Sequence, residues 1–421
     1  MIKHLCSAFL LCVSTICTSN AQKFEDYFEN STLRLDYVLA GNNRTQEISL
    51  AKMQESPIWA GRRVNLDTLA FEGNGQLEMT DEATGKVIYC TSFSTLFQEW
   101  QTTEEATRLR RSFEHTVLVP APKGKVKVRM TLTDHHRRPS ATFVQTIAPK
   151  DILIEHRQPK PAYPVRTIQQ SGSVADKIDL VFVAEGYMEA EMDLFYKDVN
   201  NAVDALFKHA PFGKYRNRFN ILAVAAPSAQ SGVSEPLKNV WNETPMASHF
   251  STFYSDRYLM TEHLWQMHSR LAGVPYEHII ILANTPTYGG GGIYNYYMLT
   301  SSRQEWFRPV VVHEFGHSFA GLADEYYYDD QYEQYYHPGV EPWEWNITTL
   351  TDFKHKWADM VKDTTKYNVG KVGLYEGGGY QSKGVFRPSY NCRMRTNEHP
   401  DFCPVCQRAL EHAIKFHTEE I

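Results

Sequence analysis

Two histidines four residues apart, with a glutamate directly after the first, are the residues of this chain best suited to chemistry: His313-Glu314-Phe315-Gly316-His317. On a helix, positions i and i+4 lie one above the other, so His313 and His317 share a face and can hold one Zn²⁺ at about 2.0–2.1 Å each. Glu314 is turned about 100° from His313. Its carboxylate then stands beside the open position of the metal, where it can take a proton from water as a general base. Trp306 and Val310–Val312 give such a helix an apolar start, and Gly321 offers a stop at which the chain turns back. Asp324 and Glu325 follow that turn. Either is a carboxylate able to be a third zinc ligand and leave the fourth position to water. The two side chains point in different directions, so only one of them should reach the metal.

The elements that must position this site are read from the second half of the chain, where strand and helix patterns alternate. Ile178–Ala184, Phe219–Ala225, His278–Ala283 and Tyr294–Leu299 read as strands, and 189–208 and 258–271 as helices, from their apolar spacing. That alternation predicts a largely parallel sheet with helical cover. From Thr32 to about Ile154 the pattern has period two, as in Leu33–Val38, Gln76–Met79, Lys86–Tyr89 and Lys125–Leu132, with turns at Gly41-Asn42, Gly73–Gly75 and Pro122–Gly124. Short strands so punctuated suggest a β-sandwich. His135–Arg138 reads as an exposed turn there. Pro159, Pro161, Pro164 and then Gln169–Ser173 read as a solvated connection. The expected organisation is a signal peptide at 1–21, an N-terminal β-sandwich at 22–160, a linker at 161–175 and an α/β domain carrying the two histidines at 176–421, an α+β multidomain chain.

The ends and the composition narrow the setting. Lys3 and His4, an apolar run of about 13 residues from Leu5 to Cys17, and small residues at Ser19 and Ala21 describe a secretory signal cut before Gln22. Such a run is too short to span a bilayer, and no other stretch is apolar enough, so a mature chain with no transmembrane segment is expected, exported to the periplasm, cell surface or medium. Of seven cysteines, Cys90, Cys392, Cys403 and Cys406 remain after the cut. Export makes a disulfide among Cys392, Cys403 and Cys406 plausible, with a pairing the sequence does not choose. Cys403-Pro404-Val405-Cys406 has the spacing of a metal knuckle or redox pair, but no matching second pair exists. The net charge of −6 gives no electrostatic footprint for nucleic acid, and 13% aromatics with 22% charged residues exclude a disordered chain. Oligomeric state is not legible.

The sequence resembles the IgA-peptidase family of zinc metallopeptidases, relatives of the metzincins. HEFGHSFAGLADEY at 313–326 carries the resemblance, supported by IDLVFVAEGY at 178–187, YGGGG at 288–292 and YEGGGYQSKGVFRPSYNCRMR at 375–395. The all-β front half is similar to that family's N-terminal domain. The resemblance implies a metal-dependent endopeptidase with His313, His317 and Asp324 as ligands, Glu314 as general base, and Met394 in a Met-turn beneath the metal. The chain departs from the general metzincin spacing: position 320 is Ala, Gly321 comes one step late, and Asp324 stands where a histidine is usual.

A phenol near the metal could steady the oxyanion, and Tyr380 and Tyr390 are the candidates. The strand Tyr294–Leu299 is a candidate edge for an extended substrate. The glycine runs at 289–292 and 377–379 lack the G-x-x-x-x-G-K-S/T form and read as close backbone turns flanking a cleft. The run Tyr326–Tyr336, with Asp329, Asp330 and Glu333, reads as an exposed loop beside the site. The rival functions are a non-catalytic zinc-containing protein that binds glycoprotein or glycan, and a serine hydrolase, for which no G-x-S-x-G exists. Immunoglobulin, mucin-type glycoprotein and general peptide substrates stay open, because selectivity lies in pocket shape.

Overall fold

The structure is a computed structural model that describes residues 22–329, 335–362 and 372–421. The signal-like segment 1–21 therefore lies outside the described residues, as do Asp330 and Glu333 of the tyrosine-rich run.

The front half forms two four-stranded sheets. β1 (Phe28–Gly41), β2 (Gln46–Pro57), β5 (Arg111–Pro122) and β8 (Ile154–His156) pair in the order β5-β1-β2-β8. β3 (Gly75–Asp81), β4 (Val87–Phe93), β6 (Val126–Thr133) and β7 (Pro139–Ile147) pair in the order β4-β3-β6-β7. Alternation decides which side chains go inward. Leu33, Leu35, Tyr37 and Leu39 of β1 join Leu77 and Met79 of β3 and Val126, Val128, Met130 and Leu132 of β6 in one core.

The back half is built on a six-stranded mixed sheet. β9 (Val165–Gln169), β10 (Ile178–Glu185), β11 (Phe219–Val224), β12 (His278–Ala283), β13 (Gly290–Ile293) and β14 (Tyr297–Ser301) run in the order β13-β14-β12-β10-β11-β9. β10 is parallel to β11 and β12, and β12 to β14, while β9 and β13 close the two edges antiparallel. Parallel strands are buried on both faces, and β10 is buried at every position. Its odd residues Val181 and Val183 face the front-half core, joined there by Ile279, Ile281 and Leu299. Its even residues Leu180, Phe182 and Ala184 face a second core with Ile280, Leu282 and Met298. Helices α1 (Met192–Lys208), α2 (Phe307–Ala320) and α3 (Pro404–Thr418) cover that second face. One face thus has the expected helical cover, and the other is covered by the front half.

Three expectations are corrected. The segment 161–175 is no free linker throughout: Val165–Gln169 pairs with β11, satisfying an otherwise open edge. The helix expected over 258–271 is only Leu264–Arg270, because Met260 bridges His249 and the Thr261 hydroxyl donates to the Met246 carbonyl. The expected edge strand 294–299 is displaced to Tyr297–Ser301 and is interior, with β13 outside it. Glycine makes β13 feasible. A Cβ on Gly292 would sit 2.3 Å from the Glu314 carbonyl oxygen of α2.

Candidate metal centre

α2 places the two histidines. Pro309 falls in its first turn, where no intrahelical N–H bond is lost. Val310, Val311, Val312, Phe315 and Phe319 then anchor the helix in the second core. The helix ends at Gly321, whose φ of 57° is left-handed and where a Cβ would lie 2.2 Å from the Trp343 ring. The chain turns back there and brings Asp324 over the histidines. Asp324 Oδ1 is 3.0 Å from His313 Nε2 and 3.3 Å from His317 Nε2, and the two Nε2 atoms are 3.0 Å apart. The late glycine of this motif therefore still brings the Asp324 carboxylate to the two imidazoles.

The donor set fits a divalent cation. His313 Nδ1 lies 3.0 Å from the Arg393 carbonyl oxygen, and His317 Nδ1 bonds the Leu322 carbonyl. A carbonyl can only accept, so each Nδ1 carries a proton and each Nε2 is the ring atom left for a metal or for a second proton. Two imidazole nitrogens and a buried carboxylate oxygen thus meet at one point. Burial would lower the basicity of His317, but Asp324 beside it raises its pKa to about 9. Burial would likewise raise the Asp324 carboxyl, and the imidazoles instead hold it below the ordinary carboxylate range. A proton held there is the charge a metal would displace. Glu314 is lifted above the usual range by burial, partly offset by the two imidazoles. Its Oε1 faces β13: a Cβ on Gly290 would start 3.5 Å from it.

Of the two tyrosines read from the sequence, only Tyr380 reaches the site. Strand β16 (Tyr375–Gly378) leads through Gly379 into β17 (Tyr380–Arg387), which pairs with β15 (Tyr327–Tyr328). Tyr380 holds φ at 66°, a strained conformation for a tyrosine. Its hydroxyl donates to Asp324 Oδ2, so it orients that carboxylate. Tyr390 is 69% exposed and packs with Tyr375 and Arg395. Tyr380→Phe is expected to weaken metal binding about tenfold, as loss of an outer partner does. Competition against a chromophoric chelator measures it, and unchanged affinity would remove this role.

Met394 is fully buried and packs on α2 at Gly316, where a Cβ would come 2.8 Å from its sulfur. Other supports went unread in the sequence. Asn346, fully buried, donates to the Ala323 carbonyl and to Glu325 Oε1 and accepts from Ala323 N–H. The Glu325 N–H donates to the Met394 carbonyl at 2.8 Å. Backbone acceptors leave no side-chain signal, and Asn346 resembles any loop asparagine. Glu185, at the end of β10, accepts from Thr244, Met246 and Ser248 and fixes the loop beside the sheet.

A family described as IgA Peptidase M64 matches residues 166–369 and 364–414. Its companion, described as Peptidase M64 N-terminus, matches residues 23–144. No curated protein matches the chain.

Proposed function

From the premise that this chain belongs to the IgA peptidase M64 family, and so is a peptidase acting on protein, we propose that it is an exported, zinc-dependent endopeptidase. The observation that carries the zinc reading is the convergence of His313 Nε2, His317 Nε2 and Asp324 Oδ1 at one point. Zinc held by these three would supply a Lewis acid for the scissile carbonyl and lower the pKa of a water toward about 7. Glu314 takes the proton of the attacking water and hands it to the leaving amine. Its raised affinity for a proton suits both halves of that transfer.

Strand β13 positions the substrate. Among the described residues it has no strand neighbour on its outer side, where the Arg257 carbonyl takes the Gly290 N–H, and Glu314 faces it. An extended peptide adding to this edge by main-chain hydrogen bonds brings a carbonyl past the carboxylate. Met394 packed beneath the histidine helix supports a metzincin-like arrangement. Export rests on the signal-like residues 1–21. Separately, among the described residues no helix is long and apolar enough to cross a membrane. The test is cleavage-site profiling of the mature chain on a proteome-derived peptide library. Internal cleavages that a chelator abolishes and zinc restores are expected. Chelator-resistant cleavage would defeat the zinc reading, and no cleavage would favour the non-catalytic binding protein.

A further inference from the structure

The backbone that carries Asp324 to one metal position carries Glu325 to another group of ligand atoms. Glu325, Cys392, Cys403 and Cys406 are all buried, and one ligand atom from each lies within 4.8 Å of the others. Cys392 Sγ and Cys406 Sγ are 3.8 Å apart. Glu325 Oε1 is 3.1 Å from Cys406 Sγ and 4.0 Å from Cys403 Sγ. Sulfurs about 2.3 Å and an oxygen about 2.1 Å from a tetrahedral zinc give S···S edges of about 3.8 Å and S···O edges of about 3.6 Å. The cysteines are free, so no disulfide occupies the place.

Three further features suit a cation. Cys403 is the N-cap of α3 and Cys406 lies in its first turn, where the helix end favours thiolates. The Cys403 N–H donates to Cys392 Sγ at 3.1 Å. Glu325 is 0% exposed, yet its Oε2 has no hydrogen-bond partner. A buried carboxylate with a spare oxygen among three sulfurs is costly without a positive charge.

We propose that Glu325, Cys392, Cys403 and Cys406 form a second zinc centre, closed by four protein ligands and structural rather than catalytic. Zinc enters as the thiols release their protons. The lone Cys403–Cys406 pair lacks a partner pair in the sequence because its partners come from two separate segments. The centre ties three of them together: the turn after α2, the Cys392–Arg395 turn and the start of α3. The first bears Asp324, and the second bears the carbonyl that orients His313 and the methionine under α2. The second zinc thus holds the frame of the first.

The test is metal content of the full mature chain as purified. Two zinc per chain are expected in the wild type, one in His313→Ala/His317→Ala and one in Cys403→Ser/Cys406→Ser. Cobalt in place of zinc in the histidine variant should give sulfur-to-cobalt charge-transfer absorption, a readout that stands even where the cysteine variant fails to fold. One zinc in the wild type with none in the histidine variant, no such absorption, or a disulfide within Cys392, Cys403 and Cys406 by peptide mass mapping would overturn the proposal. One zinc in both wild type and histidine variant would support it, and would count instead against zinc at His313.

Discussion

Glu314→Gln is expected to lower turnover by about 10³-fold while zinc stays bound. The size is that of removing a positioned general base, which typically contributes 10²–10⁴-fold. Glutamine keeps the shape and the place over β13 but cannot accept the proton of the attacking water. The atoms that would hold zinc are on His313, His317 and Asp324, so the substitution should leave the grip on the metal untouched. The neutral amide also removes a buried carboxylate whose protonation burial already favours, so the fold should not suffer. Steady-state cleavage of a denatured protein, read beside metal content, separates the effects. Near-normal turnover with zinc in place would strip Glu314 of its role, and loss of zinc would show that it binds the metal.

Asp324→Ala is expected to weaken zinc at the histidine site by more than about 100-fold, beyond the 10–100-fold of an outer-partner change. Glu325→Gln should weaken it by less than about 10-fold, because Glu325 is outside the ligand set and acts there only through its neighbours. Alternate residues of extended backbone point to opposite sides. Here Asp324 turns to the imidazoles and Glu325 to the sulfurs. Titrating metal-free protein with zinc and following the return of cleavage gives both midpoints. Equal shifts for the two substitutions would contradict the assignment of the third ligand.

The sequence carried the part of the site that obeys a local rule. Histidines at i and i+4 meet on any helix, so His313 and His317 could be paired without a fold. The choice between Asp324 and Glu325 depends on how the chain leaves Gly321, which Trp343 and Asn346 decide from far along the sequence. The thiol–carboxylate group was less legible still, since Glu325 and Cys392 reach Cys403 only through tertiary packing. β13 was read as a turn because glycine is depleted in strands. Glycine stands at 292 because a side chain there would strike α2, and at 291 because one would strike Met260 and Tyr258. Period-two and buried apolar runs gave most strands of both halves. They could not show that the front half replaces helices on one face of the central sheet.

That replacement makes the front half a buttress. Val181 and Val183 share their core with Leu35 and Met130, and Arg111 pairs with Glu262 while Trp265 N–H donates to Glu114. Severing the polypeptide at the junction would strip an apolar wall from the strand that ends in Glu185, inviting aggregation of whichever fragment kept the chemistry. Evolution could vary the outer loops of such a molecule freely, but could not trade its front half for another as one exchanges a tethered binding module.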